Sequence, residues 1–503
     1  MQQSSSYPIP WTILICADLG YISEAPEEIT TENWDLFLKT HRIRIQERID
    51  SFLPQSASPF TTDYEISSLK DFSSDRCCKK LPVLGPIIRT KEALMRYIEG
   101  LQDLSATVQT ISQNNLPQPL KNRILKAVEL DTTGSVKKPT RDPDRIDTIL
   151  ARIDLKAPTV QEGPYPLDKL LKLAHTEEKT GPERKFVRIR SIIRELDIYS
   201  ESMVSAVQEC PPFFHKKSTW KALELLCRST TRKKTVELFV HSLPRNRAEE
   251  SFETVVEQLC LQNKIPDIVI WDHEIRFNAT GEKVLKGLAR TAYNHTFTVF
   301  ASLSDQEFIK SQNHTISCRT VSSEKFRSFN RLRKDEIFRS LALFGPAVFY
   351  ESEDASNDVF RCGGAWLMAE QFMHTVSSGI FPLDLSSSMI KGHFQPIARL
   401  GAEEAQKAAR NGITLFSLSD SGSVKADAIC AFKAPGSRPI LSMLDFNLLL
   451  NRFSKLAVTR SHSREFLILK HYLETQLQPF HIFAHSSPKT HGSGSESQDW
   501  RNR

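Results

Sequence analysis

The sequence predicts an α/β protein with mixed α+β sheets, on three observations. Apolar runs of strand length, Val236–Val240, Ile268–Trp271 and Thr296–Ala301, alternate with the helical patterns Ser251–Gln262 and Glu282–Asn294. That alternation is the pattern of a parallel or mixed sheet crossed over by helices. A further run, Trp11–Cys16, stands between Pro10 and Asp18-Leu19-Gly20, as a buried strand ending in a turn does. Finally, 40% hydrophobic and 25% charged residues over 503 positions supply a sizeable core. Single cores rarely exceed ~250–300 residues, so two or three domains are expected.

The other elements follow in chain order. A helix is expected to begin near Thr31, with Glu32 and Asp35 in its first turn and Trp34, Leu36, Phe37 and Leu38 on its apolar side. A polar stretch, Pro54–Ser58, precedes the strand-like Tyr64–Leu69, and Leu81–Ile98 and Leu116–Val128 read as helices. Asp131–Asp144, rich in Thr, Lys, Pro and Asp, reads as a linker. Val187–Val207 is a clearly periodic helix, Pro211-Pro212 interrupts, and Trp220–Cys227 resumes. Gly363-Gly364 reads as a flexible approach to a helix over Trp366–Thr375. Ser486–Arg503, rich in Ser, Gly, His and charge, is expected to be a disordered tail.

Composition narrows the function classes. The net charge of +6, from 66 basic and 60 acidic residues, is dispersed and forms no nucleic-acid footprint. No apolar run reaches the ~20 residues of a spanning helix, and no signal peptide is visible, so a cytoplasmic protein without membrane insertion is expected. Nine scattered cysteines without a C-x-x-C pair suggest neither disulfides nor a zinc cage. Walker, Rossmann, Gly-x-Ser-x-Gly and His-Glu-x-x-His motifs are missing. Trp271-Asp272-His273-Glu274 is the densest polar cluster after a strand, and it reads as a solvated turn. His215, set among aromatics, reads as a structural histidine. No catalytic residue, metal ligand or cofactor is therefore expected.

The order of segments resembles one family. Pro8–Gly20 is similar to the opening strand of the small sheath subunit of type VI secretion systems, an apolar run closed by an acidic turn. Ile29–Leu38, Ile66–Phe72 (Ile-Ser-Ser-Leu-Lys-Asp-Phe) and Leu81-Pro82-Val83-Leu84, followed by a helix with Arg89 and Leu94, continue that likeness. Val207–Leu226, with Pro211-Pro212-Phe213 and Trp220-Lys221-Ala222-Leu223, then resembles the large sheath subunit. So do Phe338–Tyr350, Gly364–Phe372, Gln395–Phe416 and Asn447–Val458.

The resemblance implies a sheath-like two-part architecture: a small-subunit-like domain over 1–130, a linker and connecting helices over 131–195, a large-subunit-like domain over 196–485, and the tail 486–503. It implies a non-enzymatic structural subunit of a contractile sheath around an inner tube. Expected partners are copies of itself or a companion sheath subunit, the tube protein, baseplate components and a disassembly AAA+ ATPase. A Ser/Gly/His tail replaces the family's last strands and the N-terminal arm is shorter, so shortened linking arms are expected. Arg339 and Arg361 are the candidate contacts between subunits. Two alternatives stand beside this reading: a cap or baseplate-joining component that does not polymerise, and a cytosolic α/β enzyme using the strand end near Asp272 and Glu274.

Overall fold

A computed structural model describes residues 9–49, 60–129, 182–230, 235–310, 316–318, 326–351, 359–378, 383, 385, 393–396, 402–418, 424–426, 428–435, 440 and 443–477. Strand β1 (Trp11–Ala17) is buried at every position. β2 (Glu27–Ile29) follows, then α1 (Trp34–His41), with Asp35 in its first turn and Lys39 and His41 in its last, as the helix dipole favours. β3 (Ile43–Ile49) and β4 (Phe60–Ile66) pair as a two-stranded sheet. A 3₁₀ turn, Leu69–Phe72, is closed by a capping box between Ser68 and Asp71. Helices α2 (Ser74–Lys80), α3 (Gly85–Ile98), α4 (Leu104–Gln113), α5 (Gln118–Glu129) and α6 (Pro182–Glu209) come next. α7 (Pro211–Thr230) opens on the two prolines, which a first helical turn accepts because its N–H groups have no intrahelical partner.

The alternating part runs β5 (Val236–Ser242), α8 (Ala248–Leu261), β6 (Ile268–Ile275), α9 (Ala279–Asn294) and β7 (Thr298–Leu303). The short pair β8 (Phe308–Lys310) and β9 (Ile316–Cys318) and helix α10 (Phe326–Leu332) lead to β10 (Leu341–Gly345). After it come β11 (Val348–Glu351), β12 (Val359–Cys362), α11 (Gly364–Ser378), β13 (His393–Pro396) and α12 (Ala402–Arg410). β14 (Ile413–Leu418), β15 (Val424–Ala426), α13 (Leu444–Thr459) and α14 (Arg464–Leu477) complete the described elements.

Two compact units result. The first gathers Met1–Ile45, Glu65–Ser73 and Pro211–Arg503, and the second Gln46–Tyr64 and Ser74–Cys210. The first is built on an eight-stranded sheet of order β15-β14-β10-β7-β6-β1-β5-β2. Its central ladders, β5–β1–β6–β7–β10–β14, are all parallel, and the edge strands β2 and β15 are antiparallel. Strand side chains alternate between faces. Leu14, Cys16, Phe239, Val269, Trp271, Val299 and Ala301 pack on one face under α8 and α9, with Phe252, Val256, Leu285 and Leu288. Helices α7 and α11 cover the other face, where Trp11 meets Phe372 edge-on. In the second unit α3 packs on α4 and α6, and α5 on α4 and α6. Leu94, Ile111, Ile124, Ile189 and Leu196 are fully buried there.

These units cut across the sequential partition expected from the resemblance. β1 pairs with β5 along its whole length and with β6, strands more than two hundred residues away, so the first strand shares a unit with residues 211–503. The expected boundary at 195/196 falls inside the continuous helix α6. Asp131–Asp144 and Ser486–Arg503 lie outside the described residues. Gly363-Gly364 is no flexible approach: a Cβ on Gly364 would stand 2.7 Å from Phe344 Cβ, and one on Gly363 2.8 Å from Ser302 Oγ. The glycines let the start of α11 press against the strand ends.

At the N-terminal ends of the strands the first unit is tied by one buried ionic knot. Arg452 of α13 is 1% exposed and donates to both Asp267 carboxylate oxygens at 3.0 and 3.2 Å. It also donates to Glu465 of α14 at 2.9 Å and to the Ile9 carbonyl at 2.7 Å, and lies 4.6 Å over the Trp11 ring. Lys455 Nζ and the Thr12 amide donate to the same Asp267 oxygen, each at 2.8 Å. Burial alone would raise the Asp267 carboxyl, but Arg452 and Lys455 pull it below its ordinary value.

Candidate functional site

At the opposite, C-terminal ends of the parallel strands, β1 and β6 are neighbours whose onward connections leave in opposite directions, β1 toward β5 and β6 toward β7. Open parallel sheets form their crevices at such a switch point. A cavity of about 330 Å³ lies here, among Asp18 after β1, Asp272 and Glu274 of β6, the start of α7, and Arg361 and Trp366 beside α11.

Its carboxylates are held by donors from elements remote in sequence. Asp272 accepts from Thr219 Oγ1 of α7 at 2.5 Å and from the Trp366 indole N–H of α11. Burial pushes its pKa up to about 6, partly opposed by those two donors. Arg361 bridges Glu274 at 2.7 Å and Asp305 at 2.8 Å. Burial would raise Glu274, but the guanidinium outweighs it and holds Glu274 below its usual range. Lys216 of α7 meets Asp18 at 2.7 Å, and Asp18 also caps the Gly20 amide at 3.1 Å. Burial lowers His215, and it lowers His273 to about 4, leaving that imidazole neutral at pH 7.

This geometry corrects one expectation. Trp271-Asp272-His273-Glu274 is no solvated turn: Trp271 is buried in the core, and Asp272 is enclosed by α7 and α11. Arg361, one of the two candidates for a contact between subunits, pairs with Glu274 and Asp305 within the chain. Arg339, the other candidate, lies 5.2 Å over the Tyr293 ring of α9. The Asp272 partners, 53 and 94 residues away, carried no sequence signal. Chemically, the crevice offers one carboxyl that exchanges its proton near pH 6. Among the described residues, no group of His, Cys, Asp and Glu is placed to hold a metal ion, and no helix is long and apolar enough to cross a membrane.

A second buried carboxyl lies on the α7–α11 seam. Glu370 of α11 accepts from Ser229 Oγ at 2.7 Å, its Oε2 has no partner, and burial pushes its pKa up to about 7. The folded state therefore holds this proton more tightly than the unfolded chain, whose glutamate titrates near its ordinary value of about 4.5. Stability from this group falls as pH rises from about 4.5 to about 7 and is flat above. Glu370→Gln should flatten that limb and raise stability at pH 8 by roughly 2–3 kcal/mol. Urea denaturation of both proteins at pH 5 and pH 8 checks this, and an equal gap at the two values would refute it.

With that geometry in view, residues 10–126 match the family described as Type VI secretion system, VipA, VC_A0107 or Hcp2. The match covers about a quarter of the chain, and this stretch is similar to the small sheath subunit. It begins with β1 and runs to α5. Solved structures are distant and partial likenesses. A chain of the anti-feeding prophage baseplate aligns at TM-score 0.33 and 10% identity, over 52% of this chain and 65% of that one. A chain of the contracted PVC sheath of an extracellular contractile injection system gives the same values. The contracted anti-feeding prophage sheath aligns at TM-score 0.31 and 10% identity, over 54% and 69%. This chain thus spans just under two thirds of the first two. No curated protein matches it in sequence.

Proposed function

We propose that this chain is a structural subunit of a type VI-like contractile sheath, with small- and large-subunit parts in one polypeptide, packed around an inner tube in the cytoplasm. The carrying observation is the position of β1. The opening strand of the small-sheath-subunit segment is a central strand of a sheet whose other strands come from Glu27–Ile29 and from residues 236–426. That segment is thus built into the later part of the chain by parallel ladders on both its sides, as two interlocked sheath parts require. Its partners in this reading are copies of itself, the tube protein, baseplate components and a disassembly ATPase.

The crevice fits this reading as a fastening. Asp272, Glu274 and Asp18 each engage a donor from α7, from α11 or from Arg361, so the polar groups hold helices to strand ends. An enzyme working through Asp272 is the second reading, favoured by its raised pKa at a switch-point cavity. Negative-stain electron microscopy of the purified chain, alone and with the tube protein, tests the first. Striated tubules or stacked rings are the expected result. Particles that attach to preformed sheath without growing would favour a cap, and particles that bind neither tube nor sheath would overturn the sheath role.

A further inference from the structure

The face of the first unit opposite α7 carries a groove of about 410 Å³ between α8 and α9. Phe252, Trp271, Val284 and Leu288 form its floor, and Lys283, Lys286 and Arg290 rim it, with Glu253 facing them from α8. Lys286 also bonds Glu282 at 2.8 Å. Trp271 is 1% exposed, yet its indole N–H has no hydrogen-bond partner. Gly287 lies mid-helix on the groove, exposed, and a Cβ there would meet nothing within 4 Å. Gly281 and Gly364 differ, since Cβ atoms there would strike the Arg276 carbonyl and Phe344. A glycine inside a helix lowers stability relative to alanine, and close approach of another backbone is a reason to keep one. Among the described residues nothing makes that approach from within the chain.

A surface of complementary chemistry exists on the same unit. From Tyr21 to the end of α1 at His41 the chain has five acidic residues, Glu24, Glu27, Glu28, Glu32 and Asp35, against one lysine, Lys39, in the last turn of α1. Glu32, Asp35 and Leu36 are exposed on or beside α1, Leu36 at 68%. α1 packs through Trp34 and Phe37 on Trp220 of α7, the side of the sheet to which Asp272 points. The groove lies on the side to which Trp271 points, so the acidic segment that enters α1 and the basic groove occupy opposite faces of one unit. Two unlike patches on opposite faces join head to tail, a heterologous contact that propagates.

We propose that the α8–α9 groove of one copy receives α1 of the next, with Leu36 over Gly287 and Glu32 and Asp35 against Lys283, Lys286 and Arg290. This rests on the assembly reading above, whose subunits contact copies of themselves. The test is sedimentation velocity and negative stain on four forms of the full chain: wild type, Lys286→Glu with Arg290→Glu, Glu32→Lys with Asp35→Lys, and all four changes together. Each double reversal should weaken self-association at least about tenfold, and the combination should restore it. Gly287→Leu should block association while its melting temperature stays at or above that of wild type, a result loss of folding cannot produce. A combination as dissociated as its parents would overturn the proposal, as would a wild-type chain that stays monomeric. Tubules indifferent to every reversal would overturn it and leave the sheath reading standing. Oligomers that never form tubes but obey the charge swaps would support it against the sheath reading.

Discussion

Replacing Arg452 by alanine should lower the unfolding free energy of the first unit by about 3–5 kcal/mol, the usual cost of removing one partner of a buried ion pair. Asp267 is 3% exposed, and without the guanidinium its carboxylate keeps only Lys455 and the Thr12 amide. The same change releases the Ile9 carbonyl and Glu465, so the start of β1 and α14 lose their tie to α13 together. Arg452→Lys should recover part of the loss, because a point charge cannot serve three acceptors in a planar fork. The pH dependence has a definite sign. Asp267 is held below its ordinary value, so its contribution is present above the usual carboxylate range and is lost as acid protonates it. Arg452→Ala should shrink that acid limb. Urea denaturation followed by tryptophan fluorescence measures both effects, and a loss under about 1 kcal/mol would show that the knot is not a principal tie.

Trp220→Ala should cost about 3–5 kcal/mol, the range for deleting a buried tryptophan. The side chain is 0% exposed, its indole N–H donates to the Leu19 carbonyl at 3.1 Å, and its ring lies 5.8 Å from Phe37 and 6.0 Å from Trp34. The deletion opens a cavity and orphans a carbonyl at the turn after β1. Trp220→Phe keeps most of the volume and loses the hydrogen bond, so it should cost much less. Calorimetry should show a lowered transition for Trp220→Ala under conditions where any tubules still form. An unchanged melting temperature would contradict its place in the core.

Periodic features of the fold were legible in the sequence, and features made by distant partners were not. β5 and β7 lie within about two residues of the apolar runs that announced them, a usual margin for element ends, whereas β6 begins where expected and runs four residues further, to Ile275. Arg452 lies in a segment read for its resemblance, Asn447–Val458, yet Asp267, 185 residues earlier, gave no sign of being its partner. Asp272 showed the same limit: its neighbours in sequence suggested a wet turn, while its neighbours in space made it a buried carboxyl with its pKa raised to about 6. Arg361 shows the converse, since a charged residue at a strand end gives no sign in sequence of Glu274 and Asp305 placed around it. Burial by remote helices decides each case, and burial is set by topology that local pattern does not encode.

The central position of β1 also governs when the molecule can fold. This strand leaves the ribosome more than two hundred residues before its partners, which end at Ser242 and Ile275. At a synthesis rate of about 5–20 residues per second, it waits on the order of tens of seconds before both its edges can be covered. Throughout that interval Trp11–Ala17, with no charge and no proline, is an exposed strand that any other nascent chain can pair with. Productive biogenesis therefore depends on keeping this strand unpaired until β6 emerges, and chaperone depletion should deplete the soluble protein long before it alters the stability of chains already folded.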